Sequence, residues 1–300
     1  MKPTNIGYSF RHVLGPTAIG HTTLTYLAAN FNHSTLSEWQ QRIDAQEIEL
    51  AGRIALGREV LRPGQELVWH RPGWSEPDVT TGFTLLYQDE YLLAVNKPSG
   101  LPTLPGAGFF QNTLLNQVQL EYPTATPLHR LGRATSGVVL FALDKQTCSA
   151  MTGRWGVMQK EYRALATGIA SFDSIGIRTP IGLVTHPRLG TVHAANWNGK
   201  PSRSVADVLE RRDGATLISV KILTGRPHQI RIHLASIGHP LVGDPLYTFG
   251  GNLLAENPGL PGDPGYWLHA HRLRFQHPNS ERSICIEAPP PDCLCTGNAG

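Results

Sequence analysis

Charge, cysteine and long apolar runs are all scarce in this chain, and each shortage removes a class of protein. Charged residues fill 16% of the 300 positions and the formal net charge is only +3, where ordinary soluble domains are roughly a quarter charged. A balance so near neutral does not by itself establish a polyanionic partner. The four cysteines, Cys148, Cys285, Cys293 and Cys295, form no C-x-x-C pair, and their spacing fits neither a disulfide framework nor a zinc knuckle. No apolar stretch approaches the roughly 20 residues that span a membrane. The opening MKPTNIGYSFRHVLGP carries no apolar core of a signal peptide, so a soluble, cytoplasmic protein is the expectation. Lysine is scarce too, since only six of the 26 basic residues are Lys and the rest are Arg. A flat guanidinium suits forked phosphate contacts and stacking on bases, although genomic composition produces the same bias. What the chain has in quantity is 31 Gly and 23 Pro, which implies many turns and long connections.

Three hundred residues give room for one large domain and one small one. Residues 24–29 and 36–45 read as short helices, the second capped by Ser34-Thr35. Residues 47–50 alternate polar and apolar up to Ala51-Gly52, a hairpin-turn signal, and 61–69 supply a turn and a closing strand. The segment RPGWSEPD at 71–78 reads as a linker. Beyond it, strands are predicted at 83–87, 91–95, 138–143, 162–167, 215–223 and 283–287, and helices at 113–122, 145–159 and 228–237. Strands outnumber helices and do not alternate with them regularly. That predicts an α+β fold with a mixed, largely antiparallel sheet and flanking helices, preceded by a small αβ unit. The expected divisions are 1–78, 79–288 and a disordered Pro- and Gly-rich tail at 289–300.

The chemistry concentrates in residues 129–137, HRLGRATSG, between a Pro-rich approach and the apolar run 138–143. That context is a loop delivering polar groups to the mouth of a buried strand. Five further segments follow a recognisable order: LYQDEYLLAVNKPSGLP at 86–102, KEYRAL at 160–165, TGRPHQIRIHL at 224–234, GHPLVGDPLY at 238–247 and LHAHRL at 268–273. Together the six resemble the RluA-type RNA pseudouridine synthases, whose active-site motif is HRLD-x-x-TSG. The unit at the start is similar to the S-four-like RNA-binding module that precedes many such domains, with Gln46 where that module prefers a glycine.

The resemblance implies an isomerase that detaches a uracil from its ribose and reattaches it through carbon five, with no cofactor and no metal. Its implied partner is structured RNA, rRNA or tRNA, and it is expected to act as a monomer. A stacked base must first be swung out, which costs a few kcal/mol. Arg130 matches the family residue that fills the vacated stack, Tyr162 the tyrosine that packs on the target base, and Arg231 the basic residue paired with the catalytic aspartate. His129, Arg133, Arg226, His228 and Gln229 are the implied RNA contacts.

The aspartate position is Gly132. Glycine has no group to attack a sugar or remove a proton, and losing such a group costs many powers of ten in rate. Arg231 is therefore expected to face a different acid, or to carry an unpaired charge in a wetter pocket that binds phosphate. Asp144 lies beyond the strand, roughly 23 Å from Gly137 at strand rise. Asp89 and Glu90 are expected at a solvent-facing turn, and Asp244 to cap one. Two readings stay open: a working synthase using an acid that only the fold brings near, and a non-catalytic RNA-binding relative. His228, His233, His239 and His269 lack carboxylates at ligand spacing and read as structural rather than metal-binding. Thr135-Ser136-Gly137 lacks the G-x-S-x-G elbow of a serine hydrolase.

Overall fold

The computed structural model describes residues 4–280 and 282–297, and the chain divides into two compact units, Met1–Glu76 and Pro77–Gly300. In the first, β1 (Tyr8–Val13), α1 (Thr23–Asn30), α2 (Leu36–Asp44), β2 (Ile48–Leu50), β3 (Arg53–Ile54) and β4 (Glu66–Arg71) follow in order. The strands pair antiparallel as β1-β4-β2-β3. Thr35 caps α2 in a capping box, accepting from the Glu38 N–H while Glu38 accepts from the Thr35 N–H. The β2–β3 hairpin turns through Ala51 (φ 50°) and Gly52 (φ 75°), the paired positive φ that a two-residue hairpin needs. Gln46 also takes φ 60°, a left-handed conformation that glycine adopts without strain. Strand β1 escaped the sequence because all six of its residues are exposed, leaving no inside–outside alternation to read.

The second unit contains β5 (Thr84–Gln88), β6 (Leu92–Lys97), α3 (Leu114–Glu121), β7 (Thr126–Pro127), β8 (Ser136–Ala142), α4 (Lys145–Arg154), β9 (Gln159–Thr167) and β10 (Ser174–Ile177). There follow β11 (Ile181–His186), β12 (Gly190–Ala195), β13 (Ser204–Arg212), β14 (Ala215–Ile222), α5 (Gln229–Ser236), β15 (Tyr247–Thr248), β16 (Asn252–Leu253), β17 (Leu268–Gln276) and β18 (Ser283–Glu287). One large sheet runs β10-β13-β14-β9-β17-β8-β6-β5, with β18 beside β17 and β7 beside β8. All its pairings are antiparallel except β17 with β8. The α+β fold with a mixed, mainly antiparallel sheet is thus observed.

The apolar run predicted as one strand is β8, and it is apolar because both its faces are covered. Val138 and Leu140 pack with Met151 of α4 and with Leu273 and Phe275 of β17. Val139 and Phe141, pointing the other way, pack with Leu114 and Val118 of α3 and with Leu131. Helix α5 is buried at every position from Gln229 to Ala235, with Ile230 and Leu234 against the large sheet and Ile232 and Ala235 against Leu246 and Tyr247.

Two expectations need correction. The helix predicted over 145–159 stops at Arg154, and a turn at Trp155–Val157 leads into β9 at Gln159; Gly153 and Gly156 weaken the last turns. The tail at 289–297 is ordered rather than loose, while 298–300 lie outside the described residues. Leu294 is fully buried, Arg163 donates to its carbonyl at 2.9 Å, and Arg212 donates to the Cys293 carbonyl at 2.7 Å and to that of Cys295. Arginines of β9 and β13 thus satisfy backbone acceptors that a Pro-rich segment cannot pair by itself.

Candidate active site

The loop carrying HRLGRATSG is held by the segment after β6. Lys97, fully buried, donates from Nζ to the carbonyls of Pro98 (2.9 Å), Leu101 (2.6 Å) and Arg133 (3.2 Å). Burial lowers its pKa to about 7. Ser99 Oγ donates to the Ala134 carbonyl at 2.7 Å, and Gly100 N–H to that of Arg133 at 2.8 Å. Thr103 Oγ1 donates to the Leu131 carbonyl at 2.9 Å and accepts from the Leu131 N–H. The N-K-P-S-G turn is therefore a cradle for the loop, a role that sequence alone did not expose.

At the loop's far end Gly137 takes φ 109°, and a Cβ there would lie 2.2 Å from the Ala270 carbonyl oxygen. Only glycine allows β8 to approach β17 this closely. Ser136 beside it bonds to His269 Nδ1 at 2.8 Å.

Gly132 is exposed between the buried Leu131 and Ala134. A Cβ on it would point at the Tyr266 hydroxyl, 3.1 Å away, and at Thr135 Oγ1, 3.6 Å away. The Tyr266 hydroxyl and Thr135 Oγ1 are 3.4 Å apart. The guanidinium carbon of Arg231 lies 4.3 Å from the Tyr266 ring centroid and 4.8 Å from that of Tyr247. Tyr266 thus stands between the glycine and the arginine.

Arg231 faces an acid after all. Its Nε and Nη2 donate to the two oxygens of Asp244, each at 2.7 Å, and Nη1 donates to the Pro261 carbonyl at 2.9 Å. The side chains are 2% and 1% exposed. Burial works against the guanidinium, but the Asp244 bonds outweigh it and raise the Arg231 pKa further. The expectation of an unpaired, phosphate-seeking charge is overturned, because a forked carboxylate takes up the cation. Asp244 does cap its turn, accepting from the N–H groups of Leu246 (2.9 Å) and Tyr247 (3.0 Å). One carboxylate performs both tasks.

Arg130, exposed, is close enough for its charge to bear on His228. His228 takes φ 53° just before α5, and its Nδ1 meets the Tyr247 hydroxyl at 2.7 Å. Tyr247 donates its proton to the His193 carbonyl at 2.7 Å, so His228 Nδ1 must be the donor and Nε2 carries the lone pair. Burial, aided by Arg231, lowers the His228 pKa to about 3. Tyr162 starts inside β9 and packs both with Ala134 and Tyr266 and with Leu131 and Ala270. Burial pushes its hydroxyl up to about 12.

The remaining expected RNA contacts are engaged within the protein. His129 Nε2 accepts from the Leu140 N–H at 3.0 Å and its ring stacks on Trp155 at 4.4 Å; burial lowers its pKa to about 3. Gln229 is saturated, accepting from Thr224 Oγ1 and the Arg226 N–H and donating to the Arg203 carbonyl and Ser204 Oγ. Arg133 clasps the Gly262 carbonyl at 3.1 Å and Asp263 at 3.4 Å. Arg226 donates to the Pro201 carbonyl at 3.2 Å. Asp144 caps α4 through Thr147, and Asp89 accepts from the N–H groups of Tyr91 and Leu92. Among the described residues no group of His, Cys, Asp and Glu could hold a metal ion, and no helix is long and apolar enough to cross a membrane.

An exposed arginine on the motif loop, with tyrosines and a buried ion pair near it, fits the class that the sequence resembles, an enzyme acting on RNA. That class is matched by comparison with known proteins. The family model for RNA pseudouridylate synthase matches residues 91–236. An uncharacterised RNA pseudouridine synthase of Synechocystis sp. is 39% identical over 278 residues, covering 91% of this chain and 95% of the relative. RNA pseudouridine synthase 5 of Arabidopsis thaliana is 36% identical, over 97% of this chain and 95% of its own. Ribosomal large subunit pseudouridine synthase D of Nitrosomonas europaea is 37% identical over 69% of this chain and 62% of its own. Human RNA pseudouridylate synthase domain containing 1 superposes with a TM-score of 0.55 at 26% identity, covering 73% of this chain and 89% of that one. The chain belongs to the RluA-type RNA pseudouridine synthases.

Proposed function

We propose that the chain is a working synthase that flips a specific uridine out of structured RNA and isomerises it, rather than a relative that only binds RNA. The observation that carries this reading is the buried Arg231–Asp244 pair beneath the motif loop. Burying two charges adds little to stability even when they are well paired, so a fold that needs only to bind RNA gains little by keeping them. A site that must hold a sugar and base in a dry, charged setting does gain. Exposed Arg130 is free to enter the stack that the uridine vacates, and Tyr162 offers a ring face to the flipped base.

Among the relatives, those named for the ribosomal large subunit make large-subunit rRNA the first RNA to test, with tRNA second. The test is to map pseudouridines in cellular RNA with this chain present, with it deleted, and with Gly132→Asp in its place. A mark that disappears on deletion and returns with the natural chain supports the reading. Marks that appear only with Gly132→Asp refute it in favour of the binding-only relative.

A further inference from the structure

We propose that Tyr266 takes the place of the missing carboxylate, its phenol oxygen being the group that faces the reacting ribose. This rests on the reading of the chain as a working synthase. The loop geometry directs a side chain at Gly132 toward one atom above all, the Tyr266 hydroxyl, at 3.1 Å from the Cβ position. A contact that short is tighter than an ordinary Cβ contact, so a side chain on residue 132 crowds the tyrosine and pushes its hydroxyl aside by a few tenths of an ångström. The two groups compete for one space, and in this chain the tyrosine holds it. Only 6% of Tyr266 is exposed, so its ring is fixed by its surroundings rather than wandering in solvent.

The neighbours give the oxygen a direction. Thr135 Oγ1, at 3.4 Å, can accept the phenol proton in a hydrogen bond, which turns the oxygen lone pairs outward over Gly132. The Arg231 guanidinium covers the ring at 4.3 Å and is itself locked by Asp244, which restrains the ring on that face. With no side chain on residue 132, the ribose of a flipped uridine can come up to that oxygen directly.

The isomerisation breaks the N1–C1′ bond, which departs with its electron pair on the uracil, and forms C5–C1′. The proton on C5 is released and one is taken up at N1, so the reaction balances without a co-reactant. While the base is detached, C1′ carries positive charge. The Tyr266 oxygen lone pair stabilises that charge, and no covalent bond to the tyrosine is required.

The experiment compares the natural chain, Tyr266→Phe, Gly132→Asp and the double variant on cellular RNA from a strain lacking the protein, in single-turnover kinetics at the mapped uridine. Tyr266→Phe is expected to slow the chemical step about a hundredfold or more, with affinity for the same RNA and melting temperature unchanged. The double variant is expected to regain rate over Tyr266→Phe, because removing the hydroxyl frees the space for the carboxylate. Full rate in Tyr266→Phe overturns the proposal. So does a rate loss matched by lost RNA affinity or lost melting temperature, which marks a structural role, and so does a double variant no faster than Tyr266→Phe. An inactive natural chain refutes the synthase reading itself and this role with it, a result distinct from an active chain indifferent to Tyr266.

Discussion

The two glycines of the motif loop are expected to respond in opposite ways to a single added methyl group. In Gly137→Ala the new Cβ would lie 2.2 Å from the Ala270 oxygen and 2.7 Å from its carbonyl carbon and nitrogen, at φ 109°. Ordinary carbon–oxygen contacts are roughly 3.3 Å or more, so β8 and β17 must part by about 1 Å. The strained φ, the overpacking and the loss of ladder bonds between two strands joined by only two residue pairs together cost roughly 3–6 kcal/mol. That is a large share of the roughly 5–15 kcal/mol holding a domain together. Gly132→Ala meets only the ends of two hydroxyl-bearing side chains, at 3.1 and 3.6 Å, with no positive φ to accommodate. It should cost under about 1 kcal/mol. Amide hydrogen exchange read on peptides from β8 and β17 separates the two, since at about 1.4 kcal/mol per factor of ten Gly137→Ala should speed exchange about 10²- to 10⁴-fold. Gly137→Ala exchanging like the natural chain, or Gly132→Ala exchanging as fast as Gly137→Ala, would rule out this difference between the two glycines.

Other expectations follow from the same contacts. Asp244→Asn leaves the Arg231 charge buried without its anion and should lower stability by about 3–5 kcal/mol; a melting temperature within a degree or two of the natural chain's argues against it. Lys97→Met strips the buried Leu101 carbonyl and the half-buried Pro98 carbonyl of their donor and should cost roughly 2–5 kcal/mol, measured by urea unfolding, with an unchanged midpoint as the contrary result. Arg130→Ala, at an exposed position, should leave the melting temperature alone while reducing turnover at least tenfold. His129 and His228, both held at about 3, stay neutral in the folded chain at pH 5 while an unfolded imidazole near 6.5 takes up a proton. The unfolded state therefore binds more protons between those values, so stability is full above about pH 6.5 and falls as pH drops toward 3. Histidine ring NMR shifts of a protonated ring at pH 5 would contradict this.

Much of the architecture was readable because apolar runs and caps are local signals. Strand β8, helix α3 behind Thr113 and the Ala51-Gly52 hairpin all lie where short-range patterns put them. Strand β17 was hidden by its histidines. His269 and His271 look polar in sequence, yet both are buried and bonded to the Ala288 carbonyl. Their partner lies seventeen or more residues away, beyond any window of periodicity. The order of the tail is hidden for a similar reason, since its carbonyls are satisfied by Arg163 and Arg212 from distant strands. At the site, the motif segments pointed to Arg130, Tyr162 and Arg231, but a turn signal at Gly243-Asp244-Pro245 concealed the second task of Asp244. Tyr266 carried no signal at all: its importance appears only when the empty side-chain position of Gly132 is projected into space.

The pairing of β17 with β8 has a mechanical consequence. Along the run from β10 to β5 it is the most lightly stitched line among the described residues, joined by just two residue pairs, while its neighbours are held by six. Arg130 and Gly132 approach from the β8 bank of that line, whereas Tyr162 and Tyr266 belong to the β9–β17 bank. The groups that would grip a nucleotide are thus spread over two plates riveted at their shared edge. A load applied between RNA backbone and base acts across the seam, where the fewest bonds resist it. Gly137 is the rivet.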